Sequence, residues 1–232
     1  MTTVDVSPAA KPEAVLFDMD GVLFDSMPVH AYAWMETARA FDLQATEREF
    51  YLAEGMTGEH TIRNLYTRQH HTDPDPALVE RIYQHKSKLF RSHREEIPLI
   101  PGTLELMDYL HQVGVRMGVV TGSTTQNALP RIQKYYHDYI CDEYLVTADR
   151  VNHGKPHPEP YVRGLEALRA KPESTLVIEN APMGVQSAHA AGIFTIAVTT
   201  GPVPEHKLRE AGANLVLPNM HAVLAWWRAK YE

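Results

Sequence analysis

A single cysteine, Cys141, stands in 232 residues. No intrachain disulfide can form, and a metal site built on thiolates is excluded. Apolar runs are short, and none approaches the roughly 18 residues that span a bilayer. No basic segment followed by an apolar one opens the chain, so Met1 to Pro12 reads as a polar tail rather than a targeting signal. Lysine and arginine form no run, and the formal net charge is −7. Nucleic acid and membrane surfaces are therefore not expected partners. An anionic ligand would have to be held by a local cation or a few placed lysines. Repeats and low-complexity segments are lacking as well. The expectation is a cytoplasmic globular enzyme, with monomer and dimer both left open.

What is present begins with Ala14 to Ser26, AVLFDMDGVLFDS. The apolar run Val15-Leu16-Phe17 ends on Asp18, and a second acid, Asp20, follows two residues later. Ionised carboxylates at the dry end of a buried strand cost several kcal/mol each unless paired or bound to a cation. A divalent cation, with one acid free to act as a nucleophile, is the simplest physical account.

Beyond residue 98 the chain alternates short apolar runs with amphipathic stretches. Strands are expected at Val15–Phe17, Met117–Val120, Tyr144–Val146, Leu176–Ile178, Thr195–Val198 and Leu215–Leu217. Helical patterns cover Thr103–Val113, Thr125–Tyr135, Pro160–Leu168 and Gly184–Ala191. Pro160 suits a first helical turn, and Gly114 and Gly192 suit helix ends. Continuous apolar strands separated by helices predict a parallel sheet covered on both faces. Residues 27–98 break the rhythm and read as helical throughout, with a turn at Asp73-Pro74-Asp75-Pro76. The expected architecture is α/β, a doubly wound parallel-sheet core with an inserted α-helical cap. Core residues 1–26 and 99–232 would flank a cap at 27–98.

Ligands of open parallel sheets gather beyond the carboxyl ends of the strands. Four segments there carry complementary polar residues. The first supplies Asp18 and Asp20. The second is Thr121-Gly122-Ser123, whose hydroxyls and N–H groups ahead of a helix suit a phosphate. The third, Gly154-Lys155-Pro156-His157-Pro158-Glu159-Pro160-Tyr161, fixes a lysine between turns. The fourth is Glu179-Asn180-Ala181-Pro182-Met183-Gly184. Each alone has a plain reading as a turn, a surface loop or a cap. Together they supply what phosphoryl transfer requires: an attacking carboxylate, a carboxyl to handle protons, and cations to neutralise the phosphoryl oxygens.

With these four motifs in this order, the chain resembles the haloacid dehalogenase (HAD) superfamily, in its β-phosphoglucomutase-like subfamily, over nearly its whole length from Ala14. The resemblance implies a Rossmann-like core and Mg²⁺ as cofactor. It implies Asp18 as the nucleophile that forms an aspartyl-phosphate and Asp20 as general acid/base, its backbone carbonyl on the metal. Thr121 would hydrogen-bond the transferring phosphoryl group, with Gly122 and Ser123 beside it, and Lys155 would screen that group against Asp18. Glu179 and Asn180 would complete the metal site, Glu179 from the outer shell. Asp20 further implies phosphatase or phosphomutase chemistry, since family dehalogenases lack the second acid.

Two departures narrow the expectation. The commoner fourth motif is Glu-Asp, whereas Glu179-Asn180 lacks one negative charge. In the cap stretch Leu52-Ala53-Glu54-Gly55-Met56-Thr57-Gly58, mutases have a lysine before the first glycine and an arginine three residues after it. Glu54 and Gly58 stand there instead, which removes the clamp for a distal phosphate. Both departures, with Ser26-Met27-Pro28 and the stretch Gly192 to Val198, resemble a bacterial branch that hydrolyses inorganic pyrophosphate. Met56, where that branch carries arginine, departs from it. Glu54 becomes a candidate metal ligand and substrate-side residue supplied by the cap. The expected substrate is small and phosphorylated, with pyrophosphate first and sugar phosphates second. A mutase acting on β-glucose 1-phosphate and a non-catalytic phosphate-binding relative are the alternatives.

Other residues carry weaker expectations. His30 and Trp34 suit hinge positioning in the first cap helix, and cap aromatics and methionines read as cap core. Lys86 reads as a solvated cap lysine or a distal-phosphate contact. His153 and His157 are separated by prolines that forbid a helix, so no metal pair is expected among the 13 histidines.

Overall fold

The computed structural model describes residues 8, 10–53, 55–93 and 97–232. Among them, six parallel strands form one sheet: β1 (Ala14–Phe17), β2 (Arg116–Val120), β3 (Leu145–Val146), β4 (Thr175–Glu179), β5 (Phe194–Val198) and β6 (Leu215–Leu217), in the order β3-β2-β1-β4-β5-β6. The core helices are α5 (Thr103–Gln112), α6 (Thr125–Tyr135), α7 (Glu159–Leu168), α8 (Pro182–Ala190), α9 (Glu205–Glu210) and α10 (Met220–Tyr231).

The two faces of β1 show why the fold is doubly wound. Val15 and Phe17 pack with Leu106 and Leu110 of α5, Ile132 of α6 and Trp227 of α10. Ala14 and Leu16 point the other way, onto Tyr161, Leu165 and Leu168 of α7. With both faces covered, no polar residue is tolerated along β1, which explains the unbroken apolar run. Each fully buried large side chain contributes about 1.5–3 kcal/mol. The sheet order switches at β1, because the chain runs outward through β2 and β3 on one side and then crosses back to β4 on the other. That crevice is where such sheets hold their ligands.

Four helices lie between β1 and α5: α1 (Met27–Ala40), α2 (Glu47–Leu52), α3 (Gly58–His70) and α4 (Pro76–His93). They share their own core of Trp34, Phe50, Ile62, Leu65, Val79 and Ile82. Thr46 starts α2 with a reciprocal capping box to Glu49. The outgoing and returning segments bind each other: Asp25 N–H donates to Pro98 O at 2.9 Å, and Ile100 N–H to Leu23 O at 3.0 Å.

Several element boundaries differ from the sequence expectation by a residue or two, and two of them have a visible local cause. Tyr144 belongs to a 3-10 turn, Asp142–Tyr144, because its N–H turns back to Cys141 O, so β3 starts at Leu145. Helix α8 starts at Pro182, because the Glu179 carboxylate fixes the turn ahead of it by accepting the Asn180 and Ala181 N–H groups. Among the described residues, no helix is long and apolar enough to cross a membrane.

Candidate active site

Strand register sets the geometry. Phe17 pairs with Val119 on one side and Ile178 on the other, so Asp18, Val120 and Glu179 follow in adjacent strands. Lys155 arrives from the loop before α7. Its ammonium donates to Asp18 Oδ1 at 2.6 Å, Glu179 Oε1 at 2.7 Å and Val120 O at 3.1 Å. A lysine has three protons to donate, and all three are engaged. Glu179 is saturated in turn, by Lys155, by Tyr161 Oη at 3.0 Å and by two backbone N–H groups.

Burial pushes the Asp18 carboxyl up to about 8, with Glu179 and Asp20 adding to the rise while Lys155 opposes it. Burial works against the Lys155 charge, yet Asp18 and Glu179 hold its pKa above the usual lysine value.

Asp20 is gripped on both oxygens. Oδ1 accepts from Ser26 Oγ at 2.5 Å and Arg131 Nη1 at 3.3 Å, and Oδ2 accepts from Ser123 Oγ at 3.3 Å. His30 Nε2 also lies 3.3 Å from Oδ1. Burial opposes the charge, but His30, Arg131 and Ser26 hold the Asp20 pKa far below the usual carboxylate range. Burial and the nearby Lys86 charge bring His30 down to about 4, so the ring is neutral at pH 7. Lys86 Nζ stands 2.7 Å from His30 Nδ1. An ammonium only donates, so Nδ1 accepts and the ring proton sits on Nε2, toward Asp20.

Asn180 follows Glu179 and is buried. Its Nδ2 points to Met27 Sδ, and its Oδ1 has no hydrogen-bond partner. A buried acceptor without a donor carries a desolvation cost of about 1–3 kcal/mol. Asn180 follows β4, the neighbour of the strand that ends before Asp18, and its unpartnered hard oxygen fits Mg²⁺. Glu179 has no oxygen left free of a donor.

The segment Thr121–Ser123 leaves β2 beside this cluster. Thr121 Oγ1 accepts the Ser123 N–H at 3.0 Å, which turns the loop toward the N-terminus of α6. The cap is docked on it: a Cβ on Gly122 would lie 2.8 Å from Gly55 O and 2.9 Å from Met56 O. Asp18, Asp20, Thr121, Gly122 and Ser123 share one cavity of about 40 Å³ with cap residues Ala53, Gly55, Met56, Trp34 and Tyr83.

The structure thus brings together Asp18, Asp20, Thr121, Gly122, Ser123, Lys155, Glu179 and Asn180. Glu54 lies outside the described residues. Lys86 is not a solvated cap lysine: it is buried, with the Trp34 and Phe90 rings each 5.1 Å from its ammonium. Trp34, Phe50 and Tyr83 are cap core and cavity wall at once. Three residues that were expected to stay apart as metal ligands come together at the surface. The Glu159 carboxylate accepts the Asn152 and His153 N–H groups, folding the loop so that ligand atoms of His153, His157 and Glu159 lie within 4.8 Å. Sequence reasoning missed Arg131 and gave Tyr161, named only as the end of the third segment, no role. Arg131 carried a signal, since it sits on the inward stripe of α6 with Asn127, Ala128 and Ile132.

Comparison with known proteins follows this geometry. The family model described as "Haloacid dehalogenase-like hydrolase" matches residues 15–198. The chain belongs to that family. It is 30% identical over 208 residues to hexitol phosphatase A of Escherichia coli (strain K12), spanning 90% of this chain and 91% of the relative. It is also 30% identical over 202 residues to a phosphorylated carbohydrates phosphatase of Thermotoga maritima, spanning 87% and 92%. A solved Bacteroides vulgatus structure, named "Putative beta-phosphoglucomutase", superposes with a TM-score of 0.89 at 41% identity, covering 94% of this chain and 88% of that one. This HAD protein is β-phosphoglucomutase-like and a phosphoryl-transfer enzyme, with phosphatases among its relatives.

Proposed function

We propose that this HAD enzyme is a phosphohydrolase that works through an aspartyl-phosphate on Asp18. The observation that carries the reading is the Lys155 ammonium bonded to both Asp18 and Glu179 at the sheet's switch point. An ionised Asp18 oxygen attacks phosphorus as the bond to the leaving oxygen breaks. Asp20 delivers a proton to that leaving oxygen. Water then attacks the aspartyl-phosphate, Asp20 takes the water's proton, and phosphate departs with Asp18 restored. Thr121 and Ser123 hydroxyls and the Gly122 N–H are placed to receive phosphoryl oxygens, and Lys155 balances their charge.

HAD enzymes generally use Mg²⁺, and Asp18, the Asp20 carbonyl and Asn180 Oδ1 are the ligands this chain would offer. When bound, the ion would neutralise phosphoryl charge and favour ionised Asp18. Glu54 is proposed as a further ligand from the cap, making up the charge missing at Asn180. Its neighbours Ala53 and Gly55 line the cavity that holds Asp18 and Asp20. In this reading residues 27–98 form a cap that opens against core residues 1–26 and 99–232.

For substrate, inorganic pyrophosphate ranks first. Trp34, Met56 and Tyr83 close over the cavity that holds Asp18 and Asp20, which favours a compact ligand. At the clamp position Gly58 has no room for a longer side chain, because a Cβ there would lie 2.2 Å from the Tyr83 ring. A distal sugar phosphate therefore finds no arginine, which argues against a mutase. Sugar and polyol phosphates rank second, on the 30% identity to hexitol phosphatase A.

The test is phosphate release with Mg²⁺ from pyrophosphate, sorbitol 6-phosphate, glucose 6-phosphate and β-glucose 1-phosphate, with D18N as the control. The highest kcat/KM on pyrophosphate is expected, and none in D18N. Isomerisation of β-glucose 1-phosphate faster than phosphate release would make it a mutase. D18N turning over at the wild-type rate would overturn the mechanism.

A further inference from the structure

Arg131 has no part in the four motifs, yet it is one of the most enclosed charges in the protein, only 6% exposed. Its guanidinium carbon lies 3.8 Å from the centre of the Phe24 ring and 5.7 Å from that of Phe90. Phe24 is itself braced edge-on by Tyr135 and Tyr136, at 5.4–5.9 Å between ring centres. Phe24 belongs to the segment leaving β1, and Phe90 to cap helix α4. The guanidinium is thus held near both the core and the cap, against a braced ring.

Its polar contacts are few. Nη1 reaches Asp20 Oδ1 at 3.3 Å, and Nη2 is buried without a hydrogen-bond partner. An arginine serving stability alone would present its fork to a carboxylate and satisfy both ends. Here one arm is left unsatisfied while the other is aimed at a single oxygen of Asp20. That oxygen also receives Ser26 Oγ at 2.5 Å, and Ser123 holds the opposite oxygen at 3.3 Å. Arg131 and Ser123 both belong to the stretch that leaves β2. That stretch supplies the phosphate loop first and, two turns into α6, the arginine.

We propose that Arg131 is a positioning residue that keeps the Asp20 carboxylate turned to accept the proton of the attacking water. The inference rests on the reading of Asp20 as the proton-handling acid of an aspartyl-phosphate mechanism. Its signature belongs to the second half-reaction. A nitrophenolate leaving group needs no proton, so transfer to Asp18 from 4-nitrophenyl phosphate proceeds without Asp20, while hydrolysis of the aspartyl-phosphate does not.

The experiment compares wild type, R131M, R131K and D20N on 4-nitrophenyl phosphate with Mg²⁺, in steady state and in rapid mixing. For R131M, kcat should fall about tenfold or more while kcat/KM stays within about threefold. A burst of nitrophenolate equal to the enzyme concentration should precede the slow phase. R131K, which keeps the charge without the fork, should fall between wild type and R131M. Equal losses in kcat and kcat/KM without a burst, or no loss in either, would overturn the proposal. If R131M does not fold, R131K decides by the same split. D20N separates the two layers. A burst in D20N but not in the arginine variants sinks the role of Arg131 alone, and its absence in D20N sinks the underlying assignment of Asp20.

Discussion

Lys155 Nζ lies 2.6 Å from Asp18 Oδ1, and both side chains are almost wholly removed from solvent. Glu179, fully buried, shares the same ammonium at 2.7 Å. Two acids therefore depend on one cation. Replacing Lys155 by methionine would leave both without a counter-charge, a change that costs about 3–5 kcal/mol when one partner of a buried ion pair is removed. K155M is expected to lose that much in urea unfolding and to release phosphate about 10²–10³-fold more slowly. Wild-type stability in K155M would show that the contact is not structural.

The same cluster makes metal-free stability depend on pH. The folded Asp18 carboxyl sits at about 8, against an unperturbed 3.8. The folded protein binds the extra proton, so this stability is complete below pH 3.8 and declines as pH rises toward 8. His30 acts oppositely, because its folded value of about 4 lies below 6.5, and its contribution grows between those two pH values. The two slopes offset each other up to pH 6.5. Above it Asp18 acts alone, at up to about 1.4 kcal/mol per pH unit. The urea midpoint of metal-free protein is expected to drop from pH 6.5 to 8. D18N should remove that drop, and saturating Mg²⁺ should flatten it.

Asn180 and Glu54 are expected to act together on the metal. N180A, which removes the unsatisfied Oδ1, should raise the Mg²⁺ concentration for half-maximal activity about 10–100-fold. N180D should lower it. E54Q should raise it as N180A does, and N180D should restore E54Q in part. A Mg²⁺ titration of phosphate release in the four proteins checks this, and an unaltered E54Q curve removes Glu54 from the metal.

Gly122 tests the docking of the cap. Its missing Cβ leaves room for Gly55 O and Met56 O, which would otherwise stand at 2.8 and 2.9 Å. G122A should hold the cap loop off the core, raising KM about tenfold, while its Tm stays within a few degrees because the clash is relieved by opening. A fall in Tm without a change in KM would place the strain inside the core instead.

Much of the core was legible because burial on both faces of a parallel sheet leaves a plain trace. The runs ending at Phe17, Val120 and Ile178 are apolar for that reason, and the polar residues after them are conspicuous. Register then brings Asp18, Thr121 and Asn180 to neighbouring strand ends, and the loop before α7 adds Lys155, as their order along the chain implied. Contacts between distant side chains left weaker marks. Arg131 was passed over although it lies on the inward stripe of its helix, since nothing local says that Phe24 lies against its guanidinium. Lys86 read as solvated because its partners, His30 and Trp34, sit on another helix. His153, His157 and Glu159 converge only because backbone N–H groups wrap a carboxylate, which spacing rules for helices do not capture.

The pairing of Asp25 with Pro98 and of Leu23 with Ile100 ties the two chain crossings into one narrow seam. The chain between them leaves the sheet and returns to it at one place, yet it carries Ser26, His30 and Phe90 back against Asp20 and Arg131. Replacing that excursion would therefore also mean rebuilding the support of the proton-handling acid.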